Sequence, residues 1–253
     1  MKIIIGGALG RMGREVAEAA KAAGITVAAG VDVIYRGEPM NFPMATDYDR
    51  VSECADVMID FSRADGLPDL LSFCVTKQMP CVVCATGHND VEVQMIAEAS
   101  GVIPIFRSAN MSLGVNVMEQ LVAMAAKALG EVYDIEIVKK HHRMKMDSPS
   151  GTAFMLYESV RKAMEIQATP AFGRYGRRSI RQKGDVGLHA VRGGTMTGEH
   201  EVSFLGEGEQ LILTHRAENR ALFAQGALRA AKFLTGKPAG LYSMRDLVTE
   251  MLQ

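Results

Sequence analysis

The sequence predicts an α/β protein in which a doubly wound parallel sheet is joined to a smaller α+β domain. Two observations predict this division. In the first half of the 253-residue chain, short runs of β-branched residues alternate with amphipathic helical patterns. In the second half, a long apolar helix is followed mainly by strand-like runs. A chain of this length is sufficient for one large domain or two domains of ordinary size.

The composition is that of a globular chain, with 48% hydrophobic and 23% charged residues. The net charge is -1, so a strongly basic nucleic-acid-binding domain is not indicated. No apolar run reaches the roughly 18 residues that span a bilayer. The chain begins directly with a strand pattern rather than with the layout of a signal peptide. We therefore expect a cytoplasmic protein without a nucleic-acid or membrane partner.

Four cysteines are present, at positions 54, 74, 81 and 84. Cys81 and Cys84 have the spacing of a redox or metal pair, but they lie in an apolar run that indicates a buried strand. Residues three apart on a strand point to opposite faces, so these two thiols cannot easily share a ligand. We expect buried core thiols rather than a disulfide framework, and we expect no metal site.

A glycine-rich turn stands between the first predicted strand, residues 2–5, and the first predicted helix, residues 14–23. Gly7, Gly10 and Gly13 have the spacing G-x-x-G-x-x-G, a variant of the dinucleotide fingerprint. The first glycine permits the tight turn, the second lets a pyrophosphate approach the backbone, and the third lets the helix pack close to the strand. The phosphates would meet the helix N-terminus. The first half therefore predicts a Rossmann-like dinucleotide-binding domain.

An acidic residue is expected about twenty residues after this turn, at the end of the second strand. The second predicted strand covers residues 25–31, and Asp32 follows it. A carboxylate at this point can accept hydrogen bonds from an adenosine ribose. Arg11 and Arg36 lie close enough in sequence to meet a 2′-phosphate instead, so both NADH and NADPH remain possible.

The α/β alternation continues to about residue 106. Further strands are predicted over residues 57–62, 80–85 and 103–106, with helices over residues 67–77 and 92–100. Ligands of such sheets bind beyond the carboxyl ends of the strands. Polar residues occur at three of these ends, namely Ser62, Thr86 with Gly87, and the run 108–110. Together they predict a cofactor cleft.

The pattern changes after residue 110. The sequence predicts a long helix over residues 115–129 and helices over residues 221–234 and 244–252. Strand-like runs cover residues 134–138, 187–191, 201–205 and 210–215. These runs predict a mixed or antiparallel sheet that carries helices, which is typical of an α+β substrate domain. Residues 169–183 are rich in Gly and Arg and predict a long exposed loop.

A basic stretch, residues 139–153, lies near the middle of the chain. Cations and histidines crowd its first half. A Pro-Ser-Gly-Thr turn then opens a predicted helix over residues 153–166. The start of a helix offers unpaired N–H groups and the positive end of the dipole, so it suits an anion. Proton donors placed beside such a site suggest chemistry on a small acidic molecule. The alternative is a solvated basic loop before a capped helix.

Residues 141–153 read HHRMKMDSPSGTA, which resembles the H-H-x-x-K-x-D-[AS]-P-S-G-T-A signature of the 4-hydroxy-tetrahydrodipicolinate reductase family, also called the dihydrodipicolinate reductases. The resemblance covers essentially the whole chain. Other family motifs occur in the expected order, namely G-x-x-G-R-M-G near the N-terminus, Asp60-Phe61-Ser62, residues 109–116, Arg192-Gly193-Gly194 and Gly198-Glu199-His200.

The resemblance implies a Rossmann domain formed by residues 1–112 and 222–253, and a substrate-binding and oligomerisation domain formed by residues 113–221. It implies a homotetramer assembled through the sheets of the substrate domains. The implied activity is the NAD(P)H-dependent reduction of 4-hydroxy-tetrahydrodipicolinate to tetrahydrodipicolinate in lysine and diaminopimelate biosynthesis. The substrate would be a cyclic imine that carries two carboxylates.

The resemblance also implies roles for individual residues. His141 would be the acid/base residue, and Lys145 would be the proton donor. The substrate would be bound by His142, Ser150, Gly151 and Thr152. The nicotinamide cofactor would be held by Gly7, Ala8, Leu9, Gly10, Arg11, Met12, Asp32, Cys84, Ala85, Thr86, Ser108, Ala109, Asn110 and Met111.

The chain departs from the family pattern at three points. The family's Gly-Thr-Thr-Gly loop is here Cys84-Ala85-Thr86-Gly87, which changes the surface that approaches the cofactor. Met144 stands where many members carry a polar residue. Val33 follows Asp32 where some members have an arginine for the 2′-phosphate, which favours NADH over NADPH. The alternatives are an NAD(P)-dependent oxidoreductase for another small acidic substrate, and a non-catalytic NAD(P)-binding protein, to which only the Cys84-Ala85 change points.

Overall fold

The computed structural model describes residues 1–164 and 168–252. The chain divides into two compact units. The first unit combines Met1–Leu113 with the chain from Arg220 onward, and the second unit is Gly114–Asn219. The first unit is therefore discontinuous in sequence, whereas the second is a single segment.

The strands, in chain order, are β1 (Lys2–Gly6), β2 (Thr26–Val31), β3 (Met44–Ala45), β4 (Val57–Asp60), β5 (Cys81–Val83), β6 (Pro104–Arg107), β7 (Asp134–His141), β8 (Thr169–Ala171), β9 (Asp185–Arg192), β10 (Gly198–Leu205), β11 (Gln210–Ala217) and β12 (Gly240–Tyr242). The α-helices are α1 (Arg11–Ala22), α2 (Leu67–Thr76), α3 (Asp90–Ser100), α4 (Leu113–Leu129), α5 (Gly151–Met164), α6 (Ala221–Leu234) and α7 (Met244–Met251).

The first unit contains a seven-stranded parallel sheet in the order β12-β6-β5-β4-β1-β2-β3. The chain order reverses beside β1, which is paired with β2 on one side and β4 on the other. Such a reversal opens a crevice at the carboxyl ends of the strands, where doubly wound proteins bind their ligands. The predicted Rossmann-like fold class is confirmed.

Both faces of this sheet are covered by helices. Alternate residues of β1 pack in separate cores, with Ile3 and Ile5 on the face of α1 and α6 and Ile4 on the face of α2 and α3. Helix α6 approaches closely because its buried face is rich in alanine. Cys81 and Cys84 lie in different cores as free buried thiols, as the strand period predicted.

The second unit is built on a mixed sheet in the order β11-β10-β7-β9-β8. The central strand β7 pairs antiparallel with β10 and parallel with β9. Helices α4 and α5 cover one face, where Val122 and Leu156 pack against Ile137 and Val202. β7 alternates strictly between buried and half-buried residues after Asp134, and this alternation decides which of its side chains reach the core.

Several boundaries differ from the sequence-based predictions. β7 continues to His141, so the first cations of the basic stretch are strand residues rather than loop residues. The predicted loop 169–183 begins with the edge strand β8, which contains Pro170, a residue that sheets tolerate at their edges. β3 and β12 have two and three residues, too few to produce a periodic signal. The predicted end of α5 at residue 166 lies outside the described residues.

Within the described residues, no helix combines the length and the apolar character needed to cross a membrane.

Candidate active site

The glycine turn of the first unit has the geometry of a phosphate-binding loop. Gly7 adopts a φ of +69°, and a Cβ on this residue would lie 2.7 Å from the carbonyl oxygen of Phe61. A Cβ on Gly13 would lie 2.2 Å from the carbonyl oxygen of Gly7, so only glycine lets the helix pack on the turn. Helix α1 begins at Arg11 without a side-chain cap. Its first N–H groups are therefore suited to a pyrophosphate.

Asp32 stands beside this turn at the end of β2. Its carboxylate accepts hydrogen bonds from the N–H of Leu9 at 2.9 Å and from the N–H of Ile34 at 3.2 Å. These bonds hold the carboxylate against the turn. Nearby, Nη1 of Arg36 donates to the carbonyl oxygens of Val33 and Tyr35, so this guanidinium is tied to its own loop.

A cavity of about 560 Å³ opens beyond the strand ends of the first unit. The structure brings together at this cavity nine of the residues that the resemblance implies for the cofactor, namely Arg11, Met12, Cys84, Ala85, Thr86, Ser108, Ala109, Asn110 and Met111. The remaining five, Gly7, Ala8, Leu9, Gly10 and Asp32, form the adjoining turn and strand end. The cavity and the adjoining glycine turn together fit a dinucleotide.

Arg220 and Phe223 also line this cavity, although no sequence pattern pointed to them. They come from the beginning of α6, more than one hundred residues after the other lining residues. No local motif marks them, because their place in the cavity depends on the return of the chain to the first unit.

Cys84, which replaces a family glycine, is turned into the core. Its thiol is buried with Phe106 and Met111 and lies 3.9 Å from the carbonyl oxygen of Val82. Burial, together with the nearby Asp60 carboxyl, raises the pKa of Cys84 well above its usual value. The thiol is therefore neutral and unreactive at pH 7.

In the second unit, the strand period divides the basic stretch between two faces of the sheet. Lys139 and His141 point to the buried face of β7, whereas Lys140 lies on the other face. Nζ of Lys140 lies 2.6 Å from the Glu199 carboxylate, which also binds Arg216. Lys140 therefore belongs to a separate ion-pair network, although it is next to Lys139 in the sequence.

The turn after β7 is held in place by its backbone. The N–H of His142 donates to the carbonyl oxygen of Met196 at 3.0 Å, and the N–H of Lys145 donates to that of His142 at 3.2 Å. Nζ of Lys145 lies 2.7 Å from the Asp147 carboxylate, which lowers the pKa of Asp147. The side chain of Lys145 keeps 25% exposure, so it remains accessible to a ligand. The basic stretch is not a freely solvated loop.

His141 is packed against a second histidine, His200 of β10, with ring centroids 5.2 Å apart. Burial is the main cause that lowers the pKa of His141 to about 4 and that of His200 to about 3, and the nearby cations add to it. Both rings are neutral at pH 7. Nδ1 of His141 is buried and has no hydrogen-bond partner among the described residues, so it is available to a bound molecule.

The start of α5 combines a capped first turn with open space. Oγ of Ser150 accepts a hydrogen bond from the N–H of Ala153 at 3.3 Å and lies 3.1 Å from Nε2 of His200. Gly151 is exposed, and a Cβ there would meet nothing within 4 Å. No packing among the described residues requires a glycine at this position, and the open space above it can hold a ligand. Thr152, which follows in the first turn of α5, is half-buried.

Three side chains in this region were not selected from the sequence as site residues, namely Lys139, Arg192 and His200. Arg192 donates from Nε to the carbonyl oxygen of Lys145 at 3.2 Å and from Nη2 to that of Asp147 at 2.5 Å. Lys139 donates to the same oxygen of Asp147 at 3.2 Å. These residues come from three strands, so only the pairing of the sheet reveals their proximity.

No group of three or more His, Cys, Asp or Glu residues that could hold a metal ion occurs in the part of the chain that the structure describes.

Comparisons with known proteins agree with the two-unit organisation. The family model described as "Dihydrodipicolinate reductase, N-terminus" matches residues 1–111, and the one described as "Dihydrodipicolinate reductase, C-terminus" matches residues 114–248. The 4-hydroxy-tetrahydrodipicolinate reductase of Caldanaerobacter subterraneus subsp. tengcongensis is 46% identical over 249 residues, which cover 98% of each chain. That of Clostridium tetani is 41% identical over 245 residues, which cover 96% of this chain and 95% of the relative.

A solved structure shares the fold. The dipicolinate-bound dihydrodipicolinate reductase from Paenisporosarcina sp. TG-14 superposes with a TM-score of 0.81 at 20% sequence identity, covering 96% of this chain and 97% of that one. The two family models together span nearly the whole sequence, and the relatives match over nearly their full length. The chain therefore belongs to the dihydrodipicolinate reductase family of NAD(P)-binding oxidoreductases.

Proposed function

We propose that this chain reduces 4-hydroxy-tetrahydrodipicolinate to tetrahydrodipicolinate with NADH or NADPH, as a step of lysine and diaminopimelate biosynthesis. The observation that carries the proposal is the match of both units to one reductase family. The net reaction consumes one reduced cofactor and one proton and releases one water. The site must therefore bind a dicarboxylate, orient it towards a hydride donor and deliver a proton.

Dinucleotide binding is assigned to the first unit. Its uncapped helix start suits the pyrophosphate, and Asp32 suits the adenosine ribose. The bound nicotinamide would supply the hydride. NADH is the expected preference, because Val33 offers no charge to a 2′-phosphate and Arg36 is occupied by backbone carbonyls. Arg11 is exposed and is the residue that would bind NADPH if this preference were reversed.

Substrate binding is assigned to the second unit, where the anion-binding turn and the cations lie together. The first N–H groups of α5, the hydroxyl of Thr152 and the open space over Gly151 suit one carboxylate. His142 and Lys145 are close enough in the chain to serve the same ligand. Hydrogen bonds to a charged acceptor are the stronger class, so this turn favours a carboxylate over a neutral group.

Proton delivery is assigned to Lys145, with His141 as its acid/base partner. At pH 7 the His141 ring is neutral, because its pKa is lowered to about 4. A neutral imidazole accepts or passes on a proton rather than supplying one. The ammonium group of Lys145, partly exposed and paired with Asp147, is the charged donor. The same positive charge offsets negative charge that develops on the substrate ring.

Two further assignments follow from the family. The homotetramer would form through the sheets of the second units, whose face opposite α4 and α5 includes the half-exposed Val191 and Ile212. Sedimentation of the purified chain tests this, and a monomer at micromolar concentration would contradict it. A cytoplasmic location is consistent with four cysteines that remain free thiols.

The central test is a coupled assay. A synthase supplies fresh 4-hydroxy-tetrahydrodipicolinate, and nicotinamide absorbance is followed with NADH and with NADPH. Turnover with at least one cofactor is expected. Turnover of other cyclic imino or hydroxy acids, but not of this substrate, would indicate a different oxidoreductase. Binding of NADH without turnover of any of them would indicate a non-catalytic protein.

A further inference from the structure

Lys139 is a fully buried lysine in the middle of the second unit. Its relative exposure is 0%, and it points to the face of β7 that also carries His141. Burying an ammonium group is costly unless an opposite charge accompanies it. Within the described residues Lys139 forms no ion pair with a carboxylate, and its contact is the backbone oxygen of Asp147 at 3.2 Å.

The groups around Lys139 come from every neighbouring segment. Arg192 lies on β9, His200 on β10 and His141 on β7 itself, while Lys145 and Asp147 belong to the following turn. With both histidines neutral, the three cations Lys139, Lys145 and Arg192 face one carboxylate among the described residues. It belongs to Asp147 and is already bound to Lys145. The cluster therefore carries a surplus of two positive charges. A substrate with two carboxylates would balance that surplus.

Lys139 and Arg192 also converge on one atom. Both donate to the carbonyl oxygen of Asp147, and Arg192 donates in addition to that of Lys145. This arrangement fastens the turn that presents Lys145 and leads into the anion-binding start of α5. Because Lys139 is fully buried, it cannot touch the substrate and acts through this turn and through its charge.

We propose that Lys139 is a positioning residue for the dicarboxylate. Together with Arg192 it holds the carbonyl oxygen of Asp147 in place, and it adds a buried positive charge close to the substrate site. The inference rests on the proposed function, because it takes the ligand to be a dicarboxylate.

The charge of Lys139 is sensitive to mildly alkaline pH. Burial is the main cause that lowers the pKa of Lys139 to about 8, Arg192 and Lys145 lower it further, and Asp147 opposes them. Affinity for a dicarboxylate should therefore decline as pH rises through this range. The folded-state pKa lies below the ordinary value of 10.5, so the charged lysine destabilises the fold at pH 7. Lys139→Met should leave the Tm unchanged or raise it.

The test is calorimetric titration of the full chain, with NADH present, by pyridine-2,6-dicarboxylate, a planar dicarboxylate that is not reduced. Lys139→Met is expected to weaken binding by at least about tenfold, because it removes one unit of positive charge from a poorly solvated position near the ligand carboxylates. Lys139→Arg should restore most of the affinity and remove its decline near pH 8, because a guanidinium stays charged. Lys140→Met is the matched control on the other face and should bind like wild type.

Each outcome decides the matter. If Lys139→Met binds the dicarboxylate within about twofold of wild type, the inference is wrong, while the proposed function stands. The inference is also wrong if Lys139→Met has a lowered Tm and Lys139→Arg keeps the wild-type pH profile, because Lys139 would then have a merely structural role. If Lys139→Met does not fold, the pH profile of Lys139→Arg decides. A wild-type chain that neither binds the dicarboxylate nor turns over the substrate overturns the proposed function as well.

Discussion

The glycine turn of the first unit offers a ligand backbone N–H groups, whereas the basic stretch of the second unit offers cations and histidines. The glycine turn requires the absence of side chains, since a Cβ on Gly13 would lie 2.2 Å from the Gly7 oxygen. The second unit instead holds a buried positive charge, Lys139, which the fold alone would not favour. The glycine turn depends on the local conformation of the backbone, whereas the charged cluster of the second unit depends on strand pairing, which brings the cations together.

This difference predicts how each site fails. A variant of the glycine turn should disturb packing and cofactor binding together, because the same atoms serve both. A variant of the charged cluster should separate stability from function, because charge at that cluster costs stability and serves the ligand.

Lys145→Ala should have the largest effect. A positioned general acid is worth roughly 10²–10⁴-fold in rate, so kcat should fall by that factor. NADH affinity should be unchanged, because the lysine lies in the second unit. Steady-state kinetics and NADH titration measure the two quantities. Lys162→Ala, in the last turn of α5, is the control and should behave as wild type. An unchanged kcat in Lys145→Ala would remove Lys145 from the reaction.

Thr152→Val should act mainly on binding. The change keeps the shape of the side chain and deletes one hydroxyl donor, and a hydrogen bond to a charged group is worth about 1.5–3 kcal/mol. KM for the substrate should rise and kcat should change little. Pyridine-2,6-dicarboxylate should compete with the substrate and lose affinity in this variant. Equal inhibition of both proteins would contradict the role of this turn.

Gly13→Ala and Gly151→Ala form a matched pair across the two units. The first places a methyl group 2.2 Å from the Gly7 oxygen, and overpacking of this kind costs about 1–3 kcal/mol or more. It should lower the Tm and NADH affinity together. The second meets nothing within 4 Å, so the Tm should hold while substrate KM rises by roughly tenfold. If the Tm and the ligand affinity fell together in both variants, the proposed difference between the two units would be contradicted.

The last prediction concerns the dependence of stability on acid. The pKa values of His141 and His200 are lowered to about 4 and about 3 in the folded chain, against an ordinary value of 6.5. The unfolded chain thus binds more protons below pH 6.5, and stability is lost as pH falls from there towards 4. Thermal melts should show this loss, and His200→Gln should reduce it. An identical pH dependence in that variant would contradict the assignment.

The sequence was most informative where structure is local. The glycine turn, Asp32 and the strand ends follow one another within short segments, and their roles depend on neighbours in the chain. The fold class was predictable for the same reason, because β-branched runs and helical patterns alternate visibly. Both cysteines of the Cys81–Cys84 spacing were also interpreted correctly from the strand period alone.

The sequence was least informative where strand register determines which side chains lie together. The extension of β7 through His141 separates Lys139 from Lys140, and a predicted strand end at residue 138 could not show this. Arg192 and His200 reach the cluster only through pairing of β7 with β9 and β10. Arg220 and Phe223 reach the cofactor cavity only through the return of α6. Short strands such as β3 and β12 contain too few residues for an alternation of apolar and polar side chains to be detected.

The discontinuity of the first unit has a consequence for biosynthesis on the ribosome. The core of its sheet is closed by α6, whose buried alanines and leucines pack on β1 and α1. Residues 114–219 emerge before that helix, so the second unit can complete itself while the first still exposes apolar surface. Apolar surface that is exposed in this way during synthesis favours aggregation until α6 packs on the sheet. We therefore expect a chain arrested before residue 220 to aggregate rather than to form a nucleotide-binding fragment, which sedimentation of the truncated chain would test.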